Sequence, residues 1–248
     1  MSGLSVFPAS VVTLWLCAWL GARVLAPRLS ADQRTREDFN LVLAASLTLL
    51  GLIIGFTFSM ASNRYDQRKS YESVEANAIG TEYLRAGLLP APDAAKVRRL
   101  LKHYVDERIL FYSIRDRRRL PELSTQTSET QAQLWSAVEA AAAAQPNAVT
   151  VLVAAGMNNV LDSEGYTQAA WWNRLPVEAW VLMVLIAMLG NVMVGVTFGR
   201  AQGRGALLII LPILVSIAFF LIADIESPRS GVIHVAPQNL LALLASMQ

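Results

Sequence analysis

Leu52, Phe56 and Met60 recur at intervals of four residues inside an apolar run, so on a helix they stack along one face. Gathered from several copies of a chain around an axis, such side chains form a constriction that sheds water and thereby gates ion flow. The same spacing also describes an ordinary stripe facing lipid, and the residues alone leave both readings open. A second line of small or weakly polar residues, Thr48, Gly51, Gly55, Ser59 and Ser62, runs along the same segment. Gly51-xxx-Gly55-xxx-Ser59 permits close approach of another helix, either within the chain or across a symmetry axis between subunits. Gly195-xxx-Gly199 repeats that chemistry in a later apolar run, where Asn191 adds an amide suited to an interhelical hydrogen bond or to an ion.

Catalytic chemistry finds no comparable foothold. The single cysteine, Cys17, lies in an apolar run and can form no intrachain disulfide, and the two histidines, His103 and His234, are far apart in sequence. No CxxC, HExxH, GxSxG or phosphate-loop pattern occurs, so the expectation is a non-enzyme with no cofactor and no metal. Asp224 and Glu226 read as solvated ends of an apolar helix rather than as a cation site. A formal net charge of +2 gives no reason to expect a nucleic-acid partner.

The elements that must carry these residues are membrane spans. Of the 248 residues, 54% are hydrophobic and only 16% charged, against roughly 25% charged in soluble domains. The charge deficit is concentrated in four runs of spanning length, about 8–22 (to 26 if Arg23 snorkels), 39–61, 177–198 and 205–223, the last with Pro212 as an expected kink. Thr35 with Glu37 and Asp38 offers a cap and acidic residues to the start of the second run. No proline interrupts Phe39 to Ala86, and opposite charges recur at helical spacing beyond Ala61: Asp66 with Lys69, Arg68 with Glu72, Glu82 with Arg85. Tyr71, Val74 and Ala78, beside Ile79, Tyr83 and Ala86, supply an apolar stripe for packing. One continuous helix is therefore predicted, about 45 residues and on the order of 70 Å long.

Between the second and third runs lies a polar block with 14 Lys/Arg and 13 Asp/Glu, close to neutral and almost wholly helical in pattern. Asp93 can cap a helix with the stripe Val97, Leu100, Leu101, Tyr104, Phe111 and Tyr112. Ser128-x-x-Gln131 reads as a capping box opening a second helix, and Asn147 as the cap of a third with a break near Gly165. Arg117, Arg118 and Arg119 form the densest basic cluster, either a solvated turn or a contact for lipid head groups or anions. The tail from Pro237 carries a short apolar helix that either lies in the membrane interface or packs on a neighbouring subunit. The predicted organisation is all-α: four transmembrane helices with a helical extramembrane domain inserted between spans two and three. Its parts are 1–61, 62–175, 176–224 and a C-terminal segment 225–248. Arg23, Arg28, Arg34, Arg36, Arg200 and Arg204 on one side are nearly balanced by Arg64, Arg68, Lys69, Arg174 and Arg229 on the other, so orientation stays open.

EANAIGTEYLRAGLLPAP, the later HYVDERI, and the ending LIADIESPRSGVIHVAPQNLLAL resemble the bestrophin-like domain family of bacterial integral membrane proteins. The resemblance spans roughly 40–248 and implies four spans with a helical insert. More distantly, Gly55, Phe56 and Arg64 resemble a Gly-Phe pair, with an arginine nine residues after the glycine, in the bestrophin anion channels. Those are pentamers whose second span lines the pore. That resemblance implies an apolar neck at Thr48, Leu52 and Phe56, where Thr48 departs from an apolar ring, and an anion or lipid contact at Arg64. The expected function is an oligomeric ion channel of the inner membrane, with span two lining the pore and inorganic ions, lipid and further copies of the chain as partners. The alternative is a non-conducting scaffold or sensor whose helical domain binds a partner.

Overall fold

The structure, a computed structural model, describes residues 3–28, 33–199 and 208–247. Among them there are helices and turns and no strand. The helices are α1 (Gly3–Leu20), α2 (Gln33–Ala86), α3 (Ala91–Ser113), α4 (Leu120–Ala144), α5 (Ala148–Trp172), α6 (Val177–Gly199), α7 (Ile210–Ile225) and α8 (Gln238–Ser246). They divide into a first unit, 1–63 with 174–234, and a second, 64–173 with 235–248. The Thr35 cap, Arg34, Arg200, Arg204 and the start of the fourth apolar run lie outside the described residues or side chains.

In the first unit α1 packs against both α6 and α7. Among the described residues three helices, within Ser5–Leu25, Arg36–Ala86 and Ala148–Gly199, are long and apolar enough to cross a membrane, and α7 is a shorter apolar helix. Glycine sets the α1–α6 contact. A methyl group on Gly195 would overlap the backbone carbonyl of Ala18, and one on Gly199 would sit 2.6 Å from the Ala22 Cα. Gly21, in the π-helical turn Gly21–Leu25 that extends α1, meets the Val192 carbonyl in the same way. Pro212 falls in the first turn of α7, where its missing N–H costs nothing, rather than at a kink.

α2 runs uninterrupted for 54 residues, on the order of 80 Å. Its buried face in the second unit follows only part of the apolar stripe that the sequence suggests, at Ile79 and Ala86. Arg68, Glu72, Glu75, Ile79, Glu82 and Ala86, spaced alternately by four and three, are all buried, while Val74 is 49% exposed. Three of the four charges on that face have a task. Arg68 donates to the carbonyls of Ala170 (3.1 Å) and Asn173 (3.3 Å), satisfying the C-terminal end of α5. Glu72 accepts from the backbone N–H groups of Asn239 and Leu240 (2.9 and 3.0 Å) and so caps α8. Glu75 pairs with Arg108 of α3 and also accepts from Tyr112 (3.2 Å) and Thr167 (3.1 Å). Burial works against the Arg108 charge, but Glu75, Tyr104 and Glu164 together outweigh it and raise the guanidinium's pKa. Around this pair, Phe111, Tyr112 and Trp171 pack edge to face.

Several boundaries differ from the sequence reading. α4 begins at Leu120, with Pro121 in its first turn, so Ser128 sits mid-helix and its hydroxyl bonds back to the Ser124 carbonyl (2.9 Å). Pro90, not Asp93, precedes α3 as its cap residue. α5 passes through Gly165 without a break, and Asn147 caps it in a reciprocal box with Thr150. α8 packs inside its own second unit, with Leu240 fully buried. Asp224 and Glu226 are buried, not solvated. Asp224 accepts from Val232 (2.9 Å) and Ile233 (2.8 Å), and Glu226 accepts from Leu175 (2.8 Å), so both organise the chain after α7.

Candidate functional site

Within the first unit α2 buries a narrow line, Leu50, Thr57 and Ala61, at intervals of seven and four. At roughly 100° per residue, Thr48, Leu52, Gly55 and Ser59 lie within about 40° of the diametrically opposite direction. Phe56 follows about 60° from that direction and Met60 about 100° from it, at the edge of the face. Stripe and seam thus merge into one surface that the chain leaves uncovered. Leu52 is 53% exposed, Phe56 64% and Met60 45%, and a methyl group on Gly51 or Gly55 would meet nothing within 4 Å. Only 11% of the apolar window in this helix is buried, against 39% in the window between Ala148 and Gly199. The small-residue seams of α2 and α6 therefore stand in opposite states. Gly195 and Gly199 are closed against α1, whereas Gly51, Gly55 and Ser59 are open.

Thr48 stands where the resemblance implies an apolar ring. Its hydroxyl donates to the Ala44 carbonyl (2.9 Å), so the polar atom is tied to its own helix. The residue is less of a departure than its name suggests. Thr57 does the same toward Ile53 (2.8 Å).

The basic residues are placed less simply. Arg64 is half-buried and projects about 80° around the helix from Phe56, toward the buried side rather than along the open face. Arg117, Arg118 and Arg119 form an exposed 3-10 turn whose start is capped by Asp116, accepting from the Arg118 N–H (3.0 Å). Asn191 is fully buried and donates to the Ala187 carbonyl of its own helix (2.8 Å). His103 is exposed and lies 3.4 Å from Glu107. No group of three or more metal-ligating side chains occurs among the described residues.

One carboxyl that the sequence reading paired only with Arg85 is in an unusual state. Glu82 is fully buried, neither oxygen has a hydrogen-bond partner, and Arg85 is 4.0 Å away. Gly156 of α5 makes the room, since a methyl group there would overlap the carboxyl. Burial pushes Glu82 up to about 8, against the weaker pull of Arg85. A carboxyl whose folded pKa is raised stabilises the fold fully below its unfolded pKa near 4.5 and loses that contribution as pH rises toward 8. Glu82→Gln is therefore expected to match the parent near pH 4.5. At pH 7.5 it should exceed the parent by about 2–3 kcal/mol, as read from thermal unfolding across that range.

Comparisons with known proteins agree with this architecture. The chain matches the Bestrophin-like domain family over residues 9–240. A crystal structure of a bacterial bestrophin homolog from Klebsiella pneumoniae, carrying one Trp-to-Ala substitution, superposes with a TM-score of 0.69 at 11% identity. The match covers 100% of this chain and 96% of that one. The homolog's structure solved by zinc anomalous phasing gives 0.65 at 12% identity, over 98% and 95% of the two chains. At such identities the likeness shows the fold. No curated protein sequence is significantly similar to the chain.

Proposed function

Since the chain belongs to the bestrophin-like family, we propose that it assembles with further copies of itself into an ion-conducting pore of the inner membrane, with α2 nearest the axis. The observation that carries this reading is the uncovered face of α2. A helix that only meets lipid has no use for a line of small residues, whereas Gly51, Gly55 and Ser59 allow another helix to approach closely. Rings of Leu52, Phe56 and Met60, with Thr48 at the fourth position, then form the constriction. In this reading α1, the first half of α2, α6 and α7 with the apolar sequence before it are four spans. Residues 62–175 form an extramembrane helical domain, followed after the last span by the segment 225–248. α7 alone covers 16 residues, about 24 Å, against a core roughly 30 Å thick.

Reconstitution of the purified protein in planar bilayers tests the proposal. Current under an anion or a cation gradient is the expected result, and no current above the empty bilayer under either overturns it. Phe56→Ala widens the ring and weakens its exclusion of water, so unitary conductance should rise several-fold. Unchanged flux in that variant would favour a non-conducting scaffold.

A further inference from the structure

A groove of about 620 Å³ opens in the first unit between α1, α6 and α7. Its walls are apolar, with Ala9 and Thr13 of α1 facing Val184 of α6 and Phe219 of α7. Phe219 is itself held edge-on by Trp180, at 6.2 Å between ring centroids. Two charged residues line it, Arg174 and Glu226. Glu226 is already engaged, since its carboxylate receives the Leu175 N–H (2.8 Å). Arg174 is exposed and makes no ion pair among the described residues. Glu178, in the first turn of α6, is not among the lining residues.

We propose that this groove binds one anionic phospholipid per chain, an acyl chain lying along α1 and the phosphate at Arg174. A space of this size would otherwise hold about 20 waters at roughly 30 Å³ each, against walls that offer them little hydrogen bonding. At membrane depth the abundant apolar solute is an acyl chain, and its transfer into such a groove follows the same gain as any burial of methylene groups. The arginine adds selection. A guanidinium at the rim pairs with a phosphate through parallel charge-assisted bonds, and an anionic headgroup offers it no competing cation. The inference rests on α1, α6 and α7 being membrane helices and is independent of conduction.

Native mass spectrometry of the detergent-purified protein, given equal amounts of phosphatidylglycerol and phosphatidylcholine, tests it. The parent should retain one phosphatidylglycerol per chain in several-fold preference. Arg174→Gln should erase the preference, and Ala9→Trp, which fills the trough, should abolish retention of both lipids. Val184→Trp serves as a second filler should Ala9→Trp lose its helical circular dichroism. Equal retention of both lipids by the parent, or a preference unchanged in Arg174→Gln and the filler alike, overturns the proposal. So does an efficient disulfide between two copies carrying Thr13→Cys, which would put a neighbouring subunit in the groove. Extraction of the protein without detergent would instead overturn the membrane reading itself.

Discussion

Arg108→Met is expected to destabilise the second unit by about 3–5 kcal/mol, a large part of the 5–15 kcal/mol that holds a typical domain together. The loss does not measure the strength of an ion pair. Glu75 has no exposed surface, and removing its only full cation leaves a carboxylate in an apolar site, supported by hydroxyls alone. Glu164 also loses a guanidinium at 3.4 Å, but it is partly exposed and can turn to water. The ring of Phe111, 4.5 Å below the guanidinium, loses a stacking partner. The double variant Glu75→Leu with Arg108→Met should recover much of the loss, because no charge then remains buried. Recovery should be incomplete, since Tyr112 and Thr167 would still lack their acceptor. Denaturant unfolding in detergent, followed by circular dichroism, gives all three values.

Gly195→Leu is expected to separate α1 from α6, whereas Gly55→Leu should leave the fold of a single chain intact. In the first case even a methyl group overlaps a backbone carbonyl, and backbone cannot move aside as a flexible side chain can. Overpacking at such a contact costs about 1–3 kcal/mol for a small excess, and a whole isobutyl group exceeds what the interface can absorb. In the second case there is open space, and replacing a mid-helix glycine gains roughly 0.5–1 kcal/mol of helix propensity. The two variants should therefore diverge in two measurements. Gly195→Leu lowers the unfolding temperature and yields little folded protein. Gly55→Leu keeps or raises the unfolding temperature and lowers the oligomer mass in detergent, because the open face is where another copy is proposed to sit. Unchanged oligomer mass in Gly55→Leu would remove α2 from the subunit interface.

How much of this is legible in the sequence depends on whether the signal is local. The continuity of α2 is legible, because the absence of proline and the helical spacing of charge are properties of one segment. Asn147 is legible as a cap for the same reason. The start of α4 is not: Ser128 and Gln131 satisfy the box pattern, but Leu120–Pro121 after the Asp116-capped turn opens the helix a full two turns earlier. The buried face of the second unit is the hardest case. Arg68, Glu72, Glu75 and Glu82 carry charge and so read as solvent-facing, while Val74 and Tyr71 read as core. The actual partners, Ala170, Asn239 and Arg108, are between 33 and 167 residues distant, and no periodicity encodes that pairing. What the sequence does hold is a hint of another kind. The three stretches that resemble the family contain Glu75, Glu82, Arg108, Asp224 and Glu226, all of them buried.

The capping of α8 by Glu72 has a consequence for how the chain is made. The second unit begins at residue 64 yet includes 235–248, so two further apolar helices must leave the ribosome before its last piece exists. Until then Glu72 has no α8 backbone to cap, and the site for Leu240 stands open to water or to chaperones. Synthesis of α6 and α7 thus comes ahead of completion of the second unit. A chain that ends before α8 lacks the N–H groups of Asn239 and Leu240 and leaves the buried Glu72 carboxylate without them.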